Sequence, residues 1–327
     1  MTRNLKHTEP LAHEPNAERE WNESYYFVFH DRKLNIGGMT RLGFKPNKEE
    51  GSAFIILFLP DGSAGLFQSS AKKSDKLRKA EMSVGGISHQ RLLSGDWNYY
   101  FKGKMITTRN SEDLPRTIEQ PGLFEKILDV KLDLSFDPIN DIYEYSENMT
   151  PESRELGKKS GDAHWEQIGK ITGKIKLGEE KFDIRDTIGQ RDHTHGVRDW
   201  TGIGNWLYYV VWFSENLCIN PAAIIAEDGR ISSGGFVFEN GKNIPIKTIR
   251  VINQEFRDNI IPVTSKIQIT DALDRDHLLE GKTGPLVPLP FKDNEGRLSI
   301  LSQGFGSFTL DDQPGGYGSF ETLRRTK

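Results

Sequence analysis

The feature that most constrains this chain is the alternation of apolar and polar residues over short stretches. In the segment 127–137, ILDVKLDLSFD, the apolar residues at 130, 132, 134 and 136 are separated by single polar or charged residues. Because successive side chains of a β-strand point to opposite faces, this spacing predicts a strand with one buried face. The segment 170–177 alternates in the same way and predicts a second such strand.

Turn residues separate these stretches along the whole chain. It contains 32 glycines and 15 prolines, and turn sequences such as Asp61-Gly62 and Asn240-Gly241 recur throughout. Helical periodicity is rare, and the charged segment 71–82 is the best helix candidate. Many short strands with few helices predict an all-β, mostly antiparallel fold.

The length of 327 residues is enough for two ordinary domains. The polar segment 145–162 contains Pro151 and has no apolar periodicity, so it predicts a linker near the middle of the chain. We therefore expect an N-terminal β domain at residues 1–150 and a C-terminal β domain at residues 163–327.

Composition excludes several classes of function. The formal net charge of −4 excludes a strongly basic nucleic-acid binder. The longest apolar runs, 54–59 and 206–213, are much shorter than the ~18 residues of a membrane-spanning helix, so no transmembrane segment is predicted. The first twenty residues lack the pattern of a secretory signal, which predicts a cytoplasmic location.

The single cysteine, Cys218, lies in an apolar stretch and is predicted to be buried rather than catalytic.

The densest cluster of reactive side chains is the segment 190–200, QRDHTHGVRDW. If the preceding strand has no bulge, Asp192 lies on the same face as Phe182 and Ile184 and points inward. Loss of hydration there would raise its pKa and let it hold a proton near pH 7, whereas neighbouring arginines would lower that pKa. His193 and His195 have the opposite parity, unless a bulge at a nearby glycine redirects them.

Aromatic residues follow this cluster at once. They are explained either as core packing or as the walls of an apolar pocket. In a pocket, each aromatic face would stabilise a cation by ~0.5 to 2 kcal/mol. The candidate substrate-binding residues are Trp200, Trp206, Tyr208 and Trp212.

The segment 189–200, GQRDHTHGVRDW, resembles a signature of the two-lipocalin superfamily. That superfamily includes carotenoid 1,2-hydratase, kievitone hydratase and AttH-like proteins, with tocopherol cyclase as a more distant relative. The segments 21–27 (WNESYYF), 38–43 (GMTRLG) and 316–321 (GYGSFE) support the resemblance in the expected order. The family motif often reads Arg-Asp-His-Ser-Trp-Gly, so this chain departs from it at Thr194 and His195.

The resemblance implies two lipocalin-like β-barrel units packed together, no cofactor, and a hydrophobic isoprenoid or prenylated small molecule as the substrate. It is compatible with a homodimer. The implied enzyme is a hydratase, dehydratase, cyclase or isomerase in which Asp192 protonates an alkene, while His193, with His195 beside it, orients or deprotonates water. The supporting residues are Arg191, Arg198, Asp199, Glu321 and Tyr317. Arg198 and Asp199 are expected to form a structural ion pair.

Two alternatives remain open. The spacing of His193, His195 and Asp199 is similar to part of a cupin metal motif, because two histidines two residues apart on a strand share a face. A cupin would require a further histidine in a Pro-x-Gly context, and the next histidine, His277, lies in a polar segment. The other alternative is a non-catalytic carrier, in which a barrel binds a lipid or terpenoid and the charged cluster closes one end.

Overall fold

The computed structural model describes residues 9–72, 81–117 and 119–326, with the backbone alone at residue 159. Strands dominate this part of the chain, and strand pairing within each unit is antiparallel, which confirms the predicted all-β fold. The chain divides into two compact units. The first comprises Met1–Ile142 and Asp162–Arg198, and the second comprises Tyr143–Gly161 and Asp199–Lys327.

The described part of the chain contains nineteen strands and two short α-helices. The strands are β1 (Trp21–Asp31), β2 (Ile36–Lys45), β3 (Glu50–Phe58), β4 (Ala64–Lys72), β5 (Glu81–Val84), β6 (Ile87–Arg91), β7 (Trp97–Thr108), β8 (Lys126–Pro138), β9 (Tyr143–Glu144), β10 (Ala163–Leu177), β11 (Glu180–Val197), β12 (Asn205–Ser214), β13 (Leu217–Ile225), β14 (Ile231–Glu239), β15 (Lys242–Arg257), β16 (Ile261–Asp271), β17 (Asp276–Lys292), β18 (Leu298–Leu310) and β19 (Gln313–Arg325). The α-helices are α1 (Tyr145–Asn148) and α2 (Pro151–Gly157), and 3₁₀ turns occupy Pro46–Lys48, Ser111–Arg116, Pro121–Leu123 and Lys158–Ser160. No helix in the described residues is both long and apolar enough to cross a bilayer.

The first unit is a ring of strands in the order β4-β3-β2-β1-β11-β10-β8-β7. A short pairing of β7 with β4, from Ala64 opposite Thr108 to Leu66 opposite Ile106, closes the ring. The predicted strand at 127–137 is β8, and its apolar face packs inside this ring. Of the helix candidate 71–82, the ends belong to β4 and β5, and residues 73–80 lie outside the described residues.

The second unit is a closed barrel of consecutive strands, β12 to β19. The pairing of β12 with β19, from Trp206 opposite Leu323 to Trp212 opposite Tyr317, closes it. Its interior is filled by the apolar side chains of one parity, including Leu207, Tyr209 and Val211 of β12. This closed eight-stranded antiparallel arrangement is lipocalin-like, as predicted.

The division between the units differs from the predicted boundaries of 1–150 and 163–327. Strands β10 and β11 lie between β8 and β1, so the segment 163–197 completes the first barrel instead of starting the second. The predicted linker 145–162 contains α1 and α2, and its residues 145–161 belong to the second unit, where Ser232 Oγ donates to the Ser153 carbonyl at 2.7 Å. Cys218 is buried in the second unit, and burial raises the pKa of its thiol.

Candidate functional site

Part-way along strand β11, the set of alternate side chains that points into the barrel changes. Gly173 of β10 pairs with Ile184, but Ile171 pairs with Thr187, so three steps along β11 lie opposite two steps along β10. This extra residue is a β-bulge, and Asp186 within it has a φ of 50°. Aspartate tolerates this left-handed conformation better than most residues. One extra residue inverts the alternation for the rest of the strand.

The prediction that Asp192 points into the barrel is wrong, and the bulge is the physical reason. Downstream of it, His193 pairs with Tyr25 and Arg191 pairs with Phe27, two residues of the barrel core. Asp192 has the other parity and lies on the outer face of the first barrel. His193 and His195 share a face, as expected from their spacing, and that face is the interior. The pairing with β1 runs without a shift from Val197 to Gly189, so the anticipated bulges at Gly189 and Gly196 do not occur.

A buried ion cluster occupies the interior face of the motif. We call it the interior ion cluster; its members are Glu9, His13, Glu23, Arg191 and His193. The Arg191 guanidinium binds Glu9 through two bonds, Nη1 to Oε1 at 2.8 Å and Nη2 to Oε2 at 3.2 Å. Their side chains are 2% and 1% exposed. Burial opposes ionisation of Glu9, but Arg191 and His193 outweigh it and hold the pKa of that carboxyl far below its ordinary value.

His193 lies between two carboxylates of this cluster. Its Nε2 is 2.9 Å from Glu23 Oε1, and its Nδ1 is 3.7 Å from Glu9 Oε1. Burial lowers the pKa of the imidazole, but the hydrogen bond to Glu23 and the negative charges of Glu23 and Glu9 raise it above its ordinary value. Burial also works against ionisation of Glu23, whose pKa is nevertheless lowered by His193 and His13. The cluster therefore favours a protonated imidazolium enclosed by carboxylates.

The N-terminal segment contributes two members of the interior ion cluster and closes around it. His13 Nδ1 is 2.7 Å from Glu23 Oε1, and the His13 ring stacks on Trp165 at 5.1 Å. The Tyr25 hydroxyl donates to the Leu11 carbonyl. His195 packs against His13, with ring centroids 4.1 Å apart, and burial together with the charge of His13 lowers its pKa.

The outer face carries a second cluster around Asp192. We call His164, Glu166 and Asp192 the outer triad. His164 Nε2 is 2.8 Å from Glu166 Oε1 and 3.9 Å from Asp192 Oδ2. Gln190 Nε2 donates to the second carboxylate oxygen of Glu166 at 2.5 Å. The side chains of His164 and Asp192 are 25% and 16% exposed, so this cluster is more accessible than the interior one.

Electrostatics at the outer triad favour a protonated Asp192. Burial raises the pKa of this carboxyl above its ordinary value, and the neighbouring charge of Glu166 adds to that effect. The positive groups of His164, Arg198 and Arg41 oppose the shift without cancelling it.

Metal-ligand geometry occurs in two places among the described residues. Ligand atoms within 4.8 Å of one another belong to His13, Glu23 and His193, or to the outer triad. Neither group contains His195 or Asp199, so the predicted cupin-like set is not among them. The Asp199 carboxylate instead accepts from the Gly202 amide at 2.8 Å and the Thr201 hydroxyl at 3.3 Å, which stabilises a tight turn in the second unit. The predicted ion pair of Arg198 and Asp199 stays a prediction.

The predicted aromatic residues lie in the second unit, on the outer face of its barrel. Trp206, Tyr208 and Trp212 alternate along β12 with the core residues. Trp200 stacks on Phe291 at 4.7 Å and packs against Trp206 at 5.3 Å. Apolar neighbours on this face include Leu301 and Leu323.

Two of the predicted supporting residues contact these aromatic side chains. Trp206 Nε1 donates to Glu321 Oε1 at 3.0 Å, and Gln303 Nε2 donates to the other carboxylate oxygen at 2.7 Å. Tyr317 packs edge-on against Trp212 with ring centroids 5.7 Å apart. Glu321 and Trp206 therefore meet across the adjacent strands β12 and β19, and the role of Glu321 and Tyr317 in completing a site with Asp192 stays a prediction.

Four residues of the two clusters escaped the sequence analysis: Glu9, His13, His164 and Glu166. None belongs to a spaced motif, and the histidines are isolated in the sequence. Glu23 lies within the flanking segment 21–27 and could have been identified from its place in WNESYYF. Strand pairing identifies His164 and Glu166, because β10 pairs with β11, whereas Glu9 and His13 lie in the segment that precedes β1.

A family model described as a domain of unknown function, DUF7064, matches residues 7–326. The chain belongs to the DUF7064 family. No curated protein matches the sequence of this DUF7064 chain. The family description assigns no activity, so functional evidence comes from geometry.

Solved structures show where the DUF7064 fold belongs. An AttH-type protein, NE1406 of Nitrosomonas europaea, has 12% identity and a TM-score of 0.63, covering 94% of this chain and 93% of that one. Kievitone hydratase from Nectria haematococca has 10% identity and a TM-score of 0.56, covering 96% and 91%. CghA has 8% identity and a TM-score of 0.55, covering 97% and 94%. The resemblance to AttH-like and kievitone hydratase-like proteins is confirmed at the level of the fold.

Proposed function

We propose that this protein is a cofactor-independent acid–base enzyme that adds a proton to an alkene of a hydrophobic small molecule, with Asp192 as the proton donor. The observation that carries the proposal is the partly exposed Asp192 carboxyl, whose pKa is raised by burial. A carboxyl in that state is protonated over a wider pH range than an ordinary one, so it can act as a general acid. The reaction class is hydratase, dehydratase, cyclase or isomerase.

The outer triad supplies the groups that such a reaction needs. Asp192 gives its proton to one alkene carbon, and positive charge develops on the other carbon. Water or an internal nucleophile forms a bond to that carbon and releases a proton. His164, 3.9 Å from Asp192, is placed to pass that proton back to the carboxylate, and Glu166 orients the imidazole from 2.8 Å. When the product is a hydrate, the net reaction is the addition of one water molecule to the alkene.

Hydration is the reaction to test first, because kievitone hydratase shares the fold. Purified protein is incubated with kievitone and with farnesol in oxygen-labelled water, and products are analysed by mass spectrometry. Incorporation of one labelled oxygen is the expected result. Asp192→Asn should lower kcat by about 10²- to 10⁴-fold with little change in KM, since the amide cannot donate an acidic proton.

A matched control lies on the same strand. Asp183 is exposed and pairs with Arg185 upstream of the bulge, so Asp183→Asn should leave turnover unchanged. For the wild type, kcat should fall as pH rises through the raised pKa of Asp192. Retention of turnover in Asp192→Asn would remove Asp192 from the mechanism. A wild-type protein that binds these compounds without converting them would favour the carrier.

A further inference from the structure

We infer that the ligand of the outer face carries a hydroxyl group, and that Asn22 and Thr194 select it. The inference rests on the proposed function for the place of reaction and goes beyond it by naming the substrate chemistry. It starts from buried polar atoms around Asp192 that have no hydrogen-bond partner among the described residues. These atoms are Asn22 Nδ2, Gln190 Oε1 and Thr194 Oγ1.

The register of the strands places all three side chains on the outer face. Within β11, Gln190 and Thr194 are two positions on either side of Asp192 and therefore share its face. Asn22 of β1 has the parity of Tyr26, which pairs with Asp192. Thr194 pairs with His164, so their Cβ atoms are neighbours across the strands.

Deep burial is common to the three side chains. The three residues are 6%, 1% and 0% exposed for Asn22, Gln190 and Thr194, so bulk solvent does not reach them freely. Proteins rarely leave such buried groups without partners, so each of the three atoms calls for a bonding group that completes it.

The chemistry of the three atoms defines the group that would satisfy them. Asn22 Nδ2 is a donor, Gln190 Oε1 is an acceptor, and the Thr194 hydroxyl can act as either. A hydroxyl group both donates and accepts, so it can bond to any of the three. A pure hydrocarbon can bond to none of them and would leave all three desolvated. The site therefore fits an alcohol or a phenol with an apolar body.

Matched pairs of probes test this directly. The pairs are 4-prenylphenol with prenylbenzene, and farnesol with β-farnesene, and binding is measured by quenching of tryptophan fluorescence. The wild type should bind the hydroxylated member at least about tenfold more tightly in one pair, the difference that 1.4 kcal/mol produces. Equal affinities within both pairs, or no binding of either hydroxylated probe, would overturn the inference.

Two isosteric variants assign the preference to residues. Thr194→Val and Asn22→Leu should each reduce the preference to about threefold or less, without lowering the melting temperature of the unliganded protein. Removal of a polar group that has no partner carries no penalty in stability. A variant that keeps the full preference contradicts the assignment. So does a variant that lowers the melting temperature of the free protein, which is the result expected if ordered water alone satisfies these atoms.

Thr187→Val is the control on the same strand. The Thr187 hydroxyl donates to Asp31 at 2.8 Å, so this variant should lose stability and keep the preference for hydroxylated probes. Asp192→Asn separates the inference from the proposed function, since it should keep the binding preference while losing turnover. If Asp192→Asn turns over normally and the preference persists, the proposed function fails and the present inference stands.

Discussion

The contact between Glu9 and Arg191 gives the sharpest stability prediction. Glu9→Gln keeps the size of the side chain but removes the charge that neutralises a guanidinium with 2% exposure. Loss of one partner of a buried ion pair costs about 3 to 5 kcal/mol, because the remaining charge is left uncompensated. For a unit of this size, 1 kcal/mol corresponds to about 2 to 4 °C, so the first unit should melt roughly 6 to 20 °C lower.

A surface carboxylate provides the comparison for this variant. Glu20 pairs with Lys45 at 2.5 Å but is 49% exposed, so Glu20→Gln should cost less than about 1 kcal/mol. Both variants are measured by thermal and urea unfolding, followed by tryptophan fluorescence and near-ultraviolet circular dichroism. Equal small shifts for Glu9→Gln and Glu20→Gln would refute the conclusion that the buried pair holds the N-terminal segment in place.

A double variant tests whether the cost comes from the unpaired charge. Glu9→Leu combined with Arg191→Met replaces the pair with apolar side chains of similar size, a change that is often neutral or stabilising for buried pairs. It also deprives Gln167 Oε1 of its bonds from Arg191 at 2.8 and 3.0 Å, which costs about 1 to 3 kcal/mol. The double variant should therefore be more stable than Glu9→Gln. If it is less stable, the charge is not the source of the effect.

Three further outcomes follow from groups described above. The raised pKa of His193 stabilises the folded state fully at pH values below the ordinary histidine pKa of about 6.5, and this stabilisation is lost as pH rises through the raised pKa. His193→Gln should therefore flatten the decline in unfolding free energy that urea titrations measure from pH 6 to 9. Asp186→Gly should be tolerated, because glycine adopts the positive φ freely, whereas Asp186→Val should cost about 1 to 3 kcal/mol in chemical denaturation. Because the charge of Glu166 helps to raise the pKa of Asp192, Glu166→Gln should move the alkaline limb of the pH–rate profile to lower pH, and an unmoved limb would count against Asp192 as the acid.

The sequence predicted the strand architecture because alternation is a local property. The segment 127–137 became β8 with its apolar face inside the barrel, as its spacing required. The boundary between the units is not local. It depends on the insertion of β10 and β11 between β8 and β1, which no residue pattern at 145–162 encodes.

The part of the candidate site on β11 was predicted in composition but not in orientation. His193 and His195 share a face as expected from their spacing of two residues along a strand. The inward direction of Asp192 failed because parity counting assumes an unbroken ladder. The left-handed conformation of Asp186 has no reliable sequence signal, since aspartate is equally common in ordinary turns.

The residue count between Ile184 and the motif has a consequence for comparisons among related chains. With one residue fewer there, the same motif letters would send the acid into the lumen and the imidazoles outward. Two homologues could then share every letter of the motif and still present opposite chemistry to a ligand. Equivalence of catalytic groups in such proteins has to be established by matching strand register upstream of the motif, and only afterwards by matching its residues.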